Sequence, residues 1–314
     1  VLFSVVIPLY NKAQYVETAV RSVLDQRHKD VETIVVDDGS TDDGPQRVLP
    51  INNLRLRLVR QSNRGAAAAR NRGIREARGQ YIAFLDADDY WEPGFLSAIA
   101  NTIREFPGCG MYATHFYWFH ENGFRRVDDL WGISGAQPRL IDRFFEFWGH
   151  SKLFCTCSVV IPAHILHDSA IAFPEGEQLG EDQDVWFRIA ERWSVGYFPQ
   201  PLVGYRVGVP GSTTVSYPGE ILPYIKRLRA RYVECAIPPM HRRGVRRILA
   251  LHLLNIARFL LLRGERRRAV KLLGDPLCLL APRYLLRVLM AACIPIRFGR
   301  RLIQFSKEKY QSAL

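Results

Sequence analysis

The sequence predicts an α/β domain, a mostly parallel sheet with helices on both faces, followed by a helical C-terminal extension. Three observations lead there. Short β-branched apolar runs alternate with amphipathic segments over the first hundred residues. Two of those runs end in carboxylate clusters, Asp37-Asp38 and Asp86-Ala87-Asp88-Asp89. The charge balance also reverses late in the chain: residues 1–220 carry 22 Lys+Arg against 27 Asp+Glu, net −5, and residues 221–314 carry 21 against 4, net +17.

The elements follow in order. Phe3–Pro8 reads as a buried strand, and Asn11–Gln26 as a helix with Tyr15, Ala19, Val20, Val23 and Leu24 at helical spacing. Val31–Val36 is a second strand and Leu54–Val59 a third. Gly65–Ala77 is an Arg-rich helix of small residues, Tyr81–Leu85 a fourth strand, and Pro93 a first helical residue opening a helix that runs to about Glu105. Strand, helix, strand at this spacing makes βαβ units, whose ligands sit beyond the carboxyl ends of the strands. Both carboxylate clusters fall at such ends and are expected to converge on one crevice.

Three carboxylates within four residues repel one another unless a cation binds. One or two carboxylates with substrate phosphates is a common way to hold Mg²⁺ or Mn²⁺. The competing reading makes Asp88-Asp89 a cap for the next helix and Asp37-Asp38-Gly39-Ser40 an Asx turn. Asn63–Gly73 lacks GxGxxG spacing, but its arginines and helix start suit phosphates as well as a solvated face.

Four ordered segments carry a resemblance: Val5–Asn11 (VVIPLYN), Val35–Asp42 (VVDDGSTD), Asn63–Gly73 (NRGAAAARNRG) and Phe84–Asp89 (FLDADD). Together they resemble the family 2 inverting glycosyltransferases of the GT-A fold, strongly over residues 3–105 and weakly to about 215. The resemblance implies that Pro8 and Tyr10 lie against a nucleotide base, that Asp37 hydrogen-bonds the base, and that Arg70 lies near base and phosphates. It makes Asp86-Ala87-Asp88 the DxD motif, with Asp86 facing the ribose and Asp88 binding the Mn²⁺ or Mg²⁺ that bridges the diphosphate. The donor is then a nucleotide-sugar, usually of UDP, less often of GDP or dTDP.

Gly180–Arg188 (GEDQDVWFR) resembles the family's Glu-Asp motif at a helix start, supported by Val185, Ile189 and Trp193 at i, i+4, i+8. The resemblance makes Asp182 the general base, since an inverting displacement needs one base opposite the leaving diphosphate. An acidic helix N-terminus favoured by the dipole is the alternative. Relatives often carry a His after a Tyr-Arg pair; Tyr205-Arg206-Val207-Gly208 has none, which leaves Asp88 and phosphates to hold the metal. Glu181, Arg206 and Trp118 are further candidates for diphosphate or acceptor contacts. Trp118 belongs to an aromatic-rich stretch, residues 110–160, that suits sugar rings or a core with a lid; 132–137 reads as a mobile loop.

The basic region reads as helices broken at Pro238-Pro239, Gly264, Pro276, Pro282 and Pro295. Arginines interrupt its apolar runs, so Arg/Leu helices lying on an anionic membrane are expected rather than a span. Packing on the body or a homodimer is the alternative. No nucleic-acid motif is present. The six cysteines show no CxxC pair, and Cys155-Thr156-Cys157 reads as buried strand. With no basic leader before the first strand, the setting expected is cytoplasmic, at the inner face of the cell membrane. The organisation expected is a catalytic domain over 1–215, with a nucleotide-sugar half to about 105 and an acceptor half beyond it, and an extension over 216–314. It would act in cell-surface polysaccharide or glycolipid synthesis, with glycan or glycolipid as acceptor. A nucleotidyltransferase would carry a Gly-rich loop where Pro8-Leu-Tyr-Asn-Lys12 stands. A non-catalytic nucleotide-sugar or membrane-surface module is the other rival.

Overall fold

The computed structural model describes residues 1–128, 133, 135–149, 153–168, 171–209 and 219–292. Trp131, residues 132 and 134 of the loop at 132–137, the division near 215 and Pro295 lie outside them. The chain forms two compact units, Val1–Asp142 with Ser151–Val209, and Arg143–His150 with Pro210–Leu314.

The first unit runs β1 (Phe3–Leu9), α1 (Val16–Leu24), β2 (Val31–Asp38), α2 (Gly44–Val48), β3 (Leu56–Gln61), α3 (Ala66–Glu76), β4 (Tyr81–Phe84), β5 (Tyr90–Trp91), α4 (Phe95–Glu105), β6 (Met111–Phe119), β7 (Arg125–Arg126) and β8 (Arg139–Ile141). After α5 (Phe144–Trp148), which belongs to the second unit, it continues with β9 (Val159–Pro162), α6 (Ala163–Leu166), α7 (Glu181–Ala190) and β10 (Val195–Arg206). The sheet order is β3-β2-β1-β4-β9-β6-β10-β5. The first four strands are parallel, with Phe3 opposite Val31 and Tyr81. β9 runs antiparallel between β4 and β6, and β10 is parallel to β6 but antiparallel to β5.

Alternation along β1 assigns the two faces. Phe3, Val5, Ile7 and Leu9 join Val16, Ala19, Val20 and Val23 of α1 in one fully buried cluster. Each Val, Ile, Leu or Phe among them contributes roughly 1.5–3 kcal/mol of burial. Val6 points the other way, onto α3. There a Cβ on Gly73 would lie 2.2 Å from Val6 Cγ1, so only glycine lets this helix sit so close to the sheet. Gly73 therefore serves packing, while Gly65, at φ +89°, makes the turn into α3.

Some boundaries move. α1 begins at Val16, because Asn11 (φ 51°) belongs to a loop whose side chain accepts the N–H of Thr41 at 2.8 Å. Pro93 is not the first helical residue: it lies in a turn, and α4 begins at Phe95 with Gly94 as its N-cap. Asp88 and Asp89 are therefore not that helix's cap. Cys155-Thr156-Cys157 is not strand either; Cys155 caps a 3₁₀ turn, Thr156–Ser158, that leads into β9.

The second unit holds α8 (Pro223–Val233), α9 (Pro239–Arg263), α10 (Arg266–Leu273), a 3₁₀ turn at Pro276–Leu280 and α11 (Pro282–Ala292). Its breaks fall at the prolines and at Gly264, a left-handed C-cap at φ 85°. Leu253, Leu254, Ile256, Ala257, Leu260 and Leu261 of α9 form the core on which Ala269, Cys278 and Val288 pack. No helix among the described residues is long and apolar enough to cross a membrane.

Candidate active site

Topology gathers the chemistry-bearing residues. β1, β2 and β4 are adjacent and parallel, so Tyr10-Asn11-Lys12, Asp37-Asp38 and Asp86–Asp89 leave the same edge of the sheet. β9 is antiparallel to β4, with Ala83 opposite Val160, so the turn before β9 brings Thr156 and Cys157 to that edge. β10 is antiparallel to β5, with Val203 opposite Trp91, and the same register carries Arg206 to Asp88.

The two acidic pairs do different work. Asp38 is structural: Oδ1 accepts from Gln61 Nε2 (2.8 Å) and the Arg64 N–H (2.9 Å), and Oδ2 from the Gly65 N–H (2.8 Å), which ties down the loop into α3. Asp37 Oδ1 accepts the Ser40 N–H at 2.9 Å, the Asx turn of the alternative reading, and Oδ2 lies 3.7 Å from Arg60 Nε. Pro8 is opposite Val36, and Tyr10, 46% exposed, stands just past the strand.

Arg70 joins segments far apart in sequence. From α3 its NH2 donates to Asp86 Oδ1 (2.8 Å) and its NH1 to Glu181 Oε1 (2.9 Å). Burial alone would drive its pKa down, but Asp86, Glu181 and Asp182 more than reverse that, so it stays charged. Burial, reinforced by the charge of Asp182, pushes Glu181 up, against the pull of Arg70. Asp182, in the first turn of α7, is held from both sides: Oδ2 accepts the Thr156 hydroxyl (2.7 Å) and Oδ1 the Gln183 N–H (2.6 Å).

Asp88 Oδ2 lies 2.8 Å from Lys12 Nζ. Its main-chain carbonyl accepts Arg206 Nε at 2.8 Å. The Arg206 guanidinium lies over the rings of Tyr15 and Phe119, 4.7 and 4.6 Å from their centroids. Asp89 is buried and used internally: it accepts the Arg206 N–H (2.7 Å) and the Cys157 thiol (2.9 Å). Burial, with the charges of Asp88 and Asp86, raises its pKa well above the usual carboxylate range. Trp118 is paired with Tyr205, while Phe119 is paired with Arg206; alternation puts these pairs on opposite faces. Trp118 Nε1 donates to Asp128 Oδ2 at 3.1 Å, away from the Arg206 face.

Among the described residues, one cluster and one further carboxylate are candidates to hold a metal. Asp86, Asp89 and Cys157 offer ligand atoms within 4.8 Å of one another. Burial keeps that thiol protonated and donating to Asp89, and soft sulfur is a poor partner for Mg²⁺ or Mn²⁺. Asp88 fits better: it is a hard oxygen donor with part of its side chain still exposed, and it already holds a cation in Lys12.

The sequence reading missed Lys12 and Thr156. Lys12 sits within a segment singled out for its missing glycine, and only the fold shows that its side chain meets Asp88. Thr156 lies between two cysteines on an apolar run whose pattern reads as strand.

The model of the family described as Glycosyl transferase family 2 matches residues 4–164, half of the chain. The chain belongs to that family. An uncharacterized glycosyltransferase of Rickettsia felis is 30% identical over 210 residues, 65% of this chain and 33% of that protein. The chain thus spans about a third of that relative's length. The Escherichia coli UDP-Glc:alpha-D-GlcNAc-diphosphoundecaprenol beta-1,3-glucosyltransferase WfaP is 28% identical over 195 residues, 61% of this chain and 71% of that protein. S. aureus TarS 1-349, solved with UDP-GlcNAc, shares the fold at a TM-score of 0.69 and 21% identity, over 100% of this chain and 92% of that one. This family 2 chain therefore has the GT-A architecture with a helical C-terminal region.

Proposed function

We propose that the protein is an inverting glycosyltransferase that moves a sugar from a UDP-sugar to a hydroxyl of a glycan or lipid-linked acceptor in surface polysaccharide or glycolipid synthesis. One observation carries the reading: buried Arg70 clamps the strand-end carboxylate Asp86 to Glu181, the neighbour of Asp182. This contact supports the reading that a donor-binding edge and a candidate base belong to one site. The name of WfaP and the UDP-GlcNAc held by TarS support the donor and acceptor classes.

In this reading Pro8, Tyr10 and Asp37 receive the base, and Asp86 the ribose. Asp88 would hold a Mn²⁺ or Mg²⁺ ion. When bound, that ion supplies positive charge for the leaving diphosphate. Asp182 takes the proton of the acceptor hydroxyl as that oxygen bonds the anomeric carbon and the bond to the diphosphate breaks with its electron pair. The Thr156 and Gln183 hydrogen bonds fix the carboxylate's orientation and leave a lone pair on each oxygen for the proton. Arg206 braces the Asp88 loop through its main-chain carbonyl and adds positive charge.

The C-terminal helices meet an anionic membrane surface in the same reading. Leu279, Leu286 and Met290 are 68%, 60% and 64% exposed among Arg283 and Arg287. Apolar side chains interleaved with arginine suit a headgroup boundary.

The test is transfer from UDP-glucose and UDP-GlcNAc to undecaprenyl-diphosphate-linked GlcNAc, with the product's anomeric configuration read by NMR. Inversion by the wild type, and loss of product with retained UDP binding in Asp182→Asn, are expected. A retained configuration, or an Asp182→Asn variant as active as wild type, overturns the reading.

A further inference from the structure

The residue with the least explained position is Lys12. Its backbone is fixed on both sides: its carbonyl accepts the N–H groups of Tyr15 (2.9 Å) and Val16 (3.0 Å), and Asn11 before it is tied to Thr41. Its side chain reaches back across the strand ends to Asp88, where both partners are 18% exposed. A surface pair would be worth little, but this one is largely withdrawn from water. Asp86 has Arg70 and Asp89 has Cys157, so the Asp88 carboxylate is the one that Lys12 neutralises.

The ammonium on Oδ2 neutralises the Asp88 carboxylate, and its charge repels a divalent ion approaching either oxygen. We infer that Lys12 is a place-holding cation. It withholds Asp88 from free metal ion and, when nucleotide and metal arrive together, swings onto the donor's diphosphate. A lysine suits this, being a compact charge on a flexible four-carbon stem. Metal binding thus becomes conditional on nucleotide, and the two ligands bind with positive coupling through one side chain. This rests on the nucleotide-sugar reading of the site.

The experiment measures Mn²⁺ binding alone by electron paramagnetic resonance, and UDP binding by calorimetry with and without Mn²⁺. It compares wild type with Lys12→Met, Lys12→Gln and Lys12→Arg, each checked for fold by circular dichroism. The neutral variants are expected to bind Mn²⁺ alone about tenfold more tightly and metal-free UDP about tenfold more weakly, the scale of one partly buried charge pair. Lys12→Arg is expected to bind Mn²⁺ alone no more tightly than wild type. Lys12→Gln reads the same effect should the methionine variant fold poorly. Unchanged Mn²⁺ affinity in folded neutral variants, with Mn²⁺ and UDP still binding together, overturns the role of Lys12 and leaves the donor reading standing. Wild type that binds no UDP in either condition overturns both.

Discussion

Arg70 and Glu181 are 111 residues apart in the chain and 2.9 Å apart in the fold. The same guanidinium holds Asp86 at 2.8 Å, so one side chain from α3 pins the end of β4 to the start of α7. Such a clamp makes the site's geometry a property of the first unit's core rather than of its loops.

Replacing Arg70 by Met strands two carboxylates, one of them well buried. The expected loss is about 3–5 kcal/mol of unfolding free energy, the usual cost of breaking a buried ion pair from one side. Arg70→Lys, which cannot reach both partners as a fork, is expected to fall between. Urea denaturation of the three proteins measures this.

Thr156 acts on Asp182 without touching substrate. Thr156→Val keeps the shape and removes the hydroxyl that orients the carboxylate. The turnover number is expected to fall about tenfold, about 1.4 kcal/mol of barrier, with the donor KM unchanged. Thr156→Ser should restore most of it. A rise in KM with no change in turnover would show that Thr156 supports binding and not the base.

His252 gives a pH signature. Burial in α9 lowers its pKa to about 4 from an ordinary 6.5. Between those values the unfolded chain binds more protons than the folded one. Stability from this residue is therefore complete above pH 6.5 and is lost as the pH falls towards 4. The difference amounts to about 3 kcal/mol. His252→Phe should abolish that dependence: its stability relative to wild type is expected to improve by about this amount between pH 7 and pH 4. Parallel pH–stability curves for the two proteins would contradict it.

Flotation with vesicles tests the basic helices. Binding to vesicles rich in phosphatidylglycerol, little to pure phosphatidylcholine, and weakening in Leu286→Glu and in Arg283→Ala/Arg287→Ala are expected. Equal binding to both vesicle types would remove the electrostatic part of the reading. No binding to either, with a dimer in sedimentation, would favour self-association.

Much of this was legible in the sequence because local signals and tertiary demands agree. The β-branched runs at Val5, Val35 and Ile82 became central parallel strands, and the breaks at Pro239, Gly264 and Pro282 fell where a missing N–H or a positive φ ends a helix. That Asp37 and Asp86 leave the same edge of the sheet followed from strand direction alone. What stayed hidden depends on register and side-chain reach. The Lys12–Asp88 pair spans 76 residues with no pattern linking its ends, and only the antiparallel β5–β10 pairing shows why Arg206 lands on Asp88. Cys155-Thr156-Cys157 looked like strand because its apolar flanks do; the chain bends there to deliver Thr156 to Asp182.

The most direct test of the site is calorimetric titration with UDP, GDP, dTDP and CDP, each with and without Mn²⁺, on wild type and Asp88→Asn. Binding of one nucleotide, tightened by Mn²⁺ in wild type and not in Asp88→Asn, is the expected result, with UDP as that nucleotide. Absence of binding by all four in both conditions would contradict the nucleotide-sugar site, and a Mn²⁺ gain that survives Asp88→Asn would remove Asp88 from the metal.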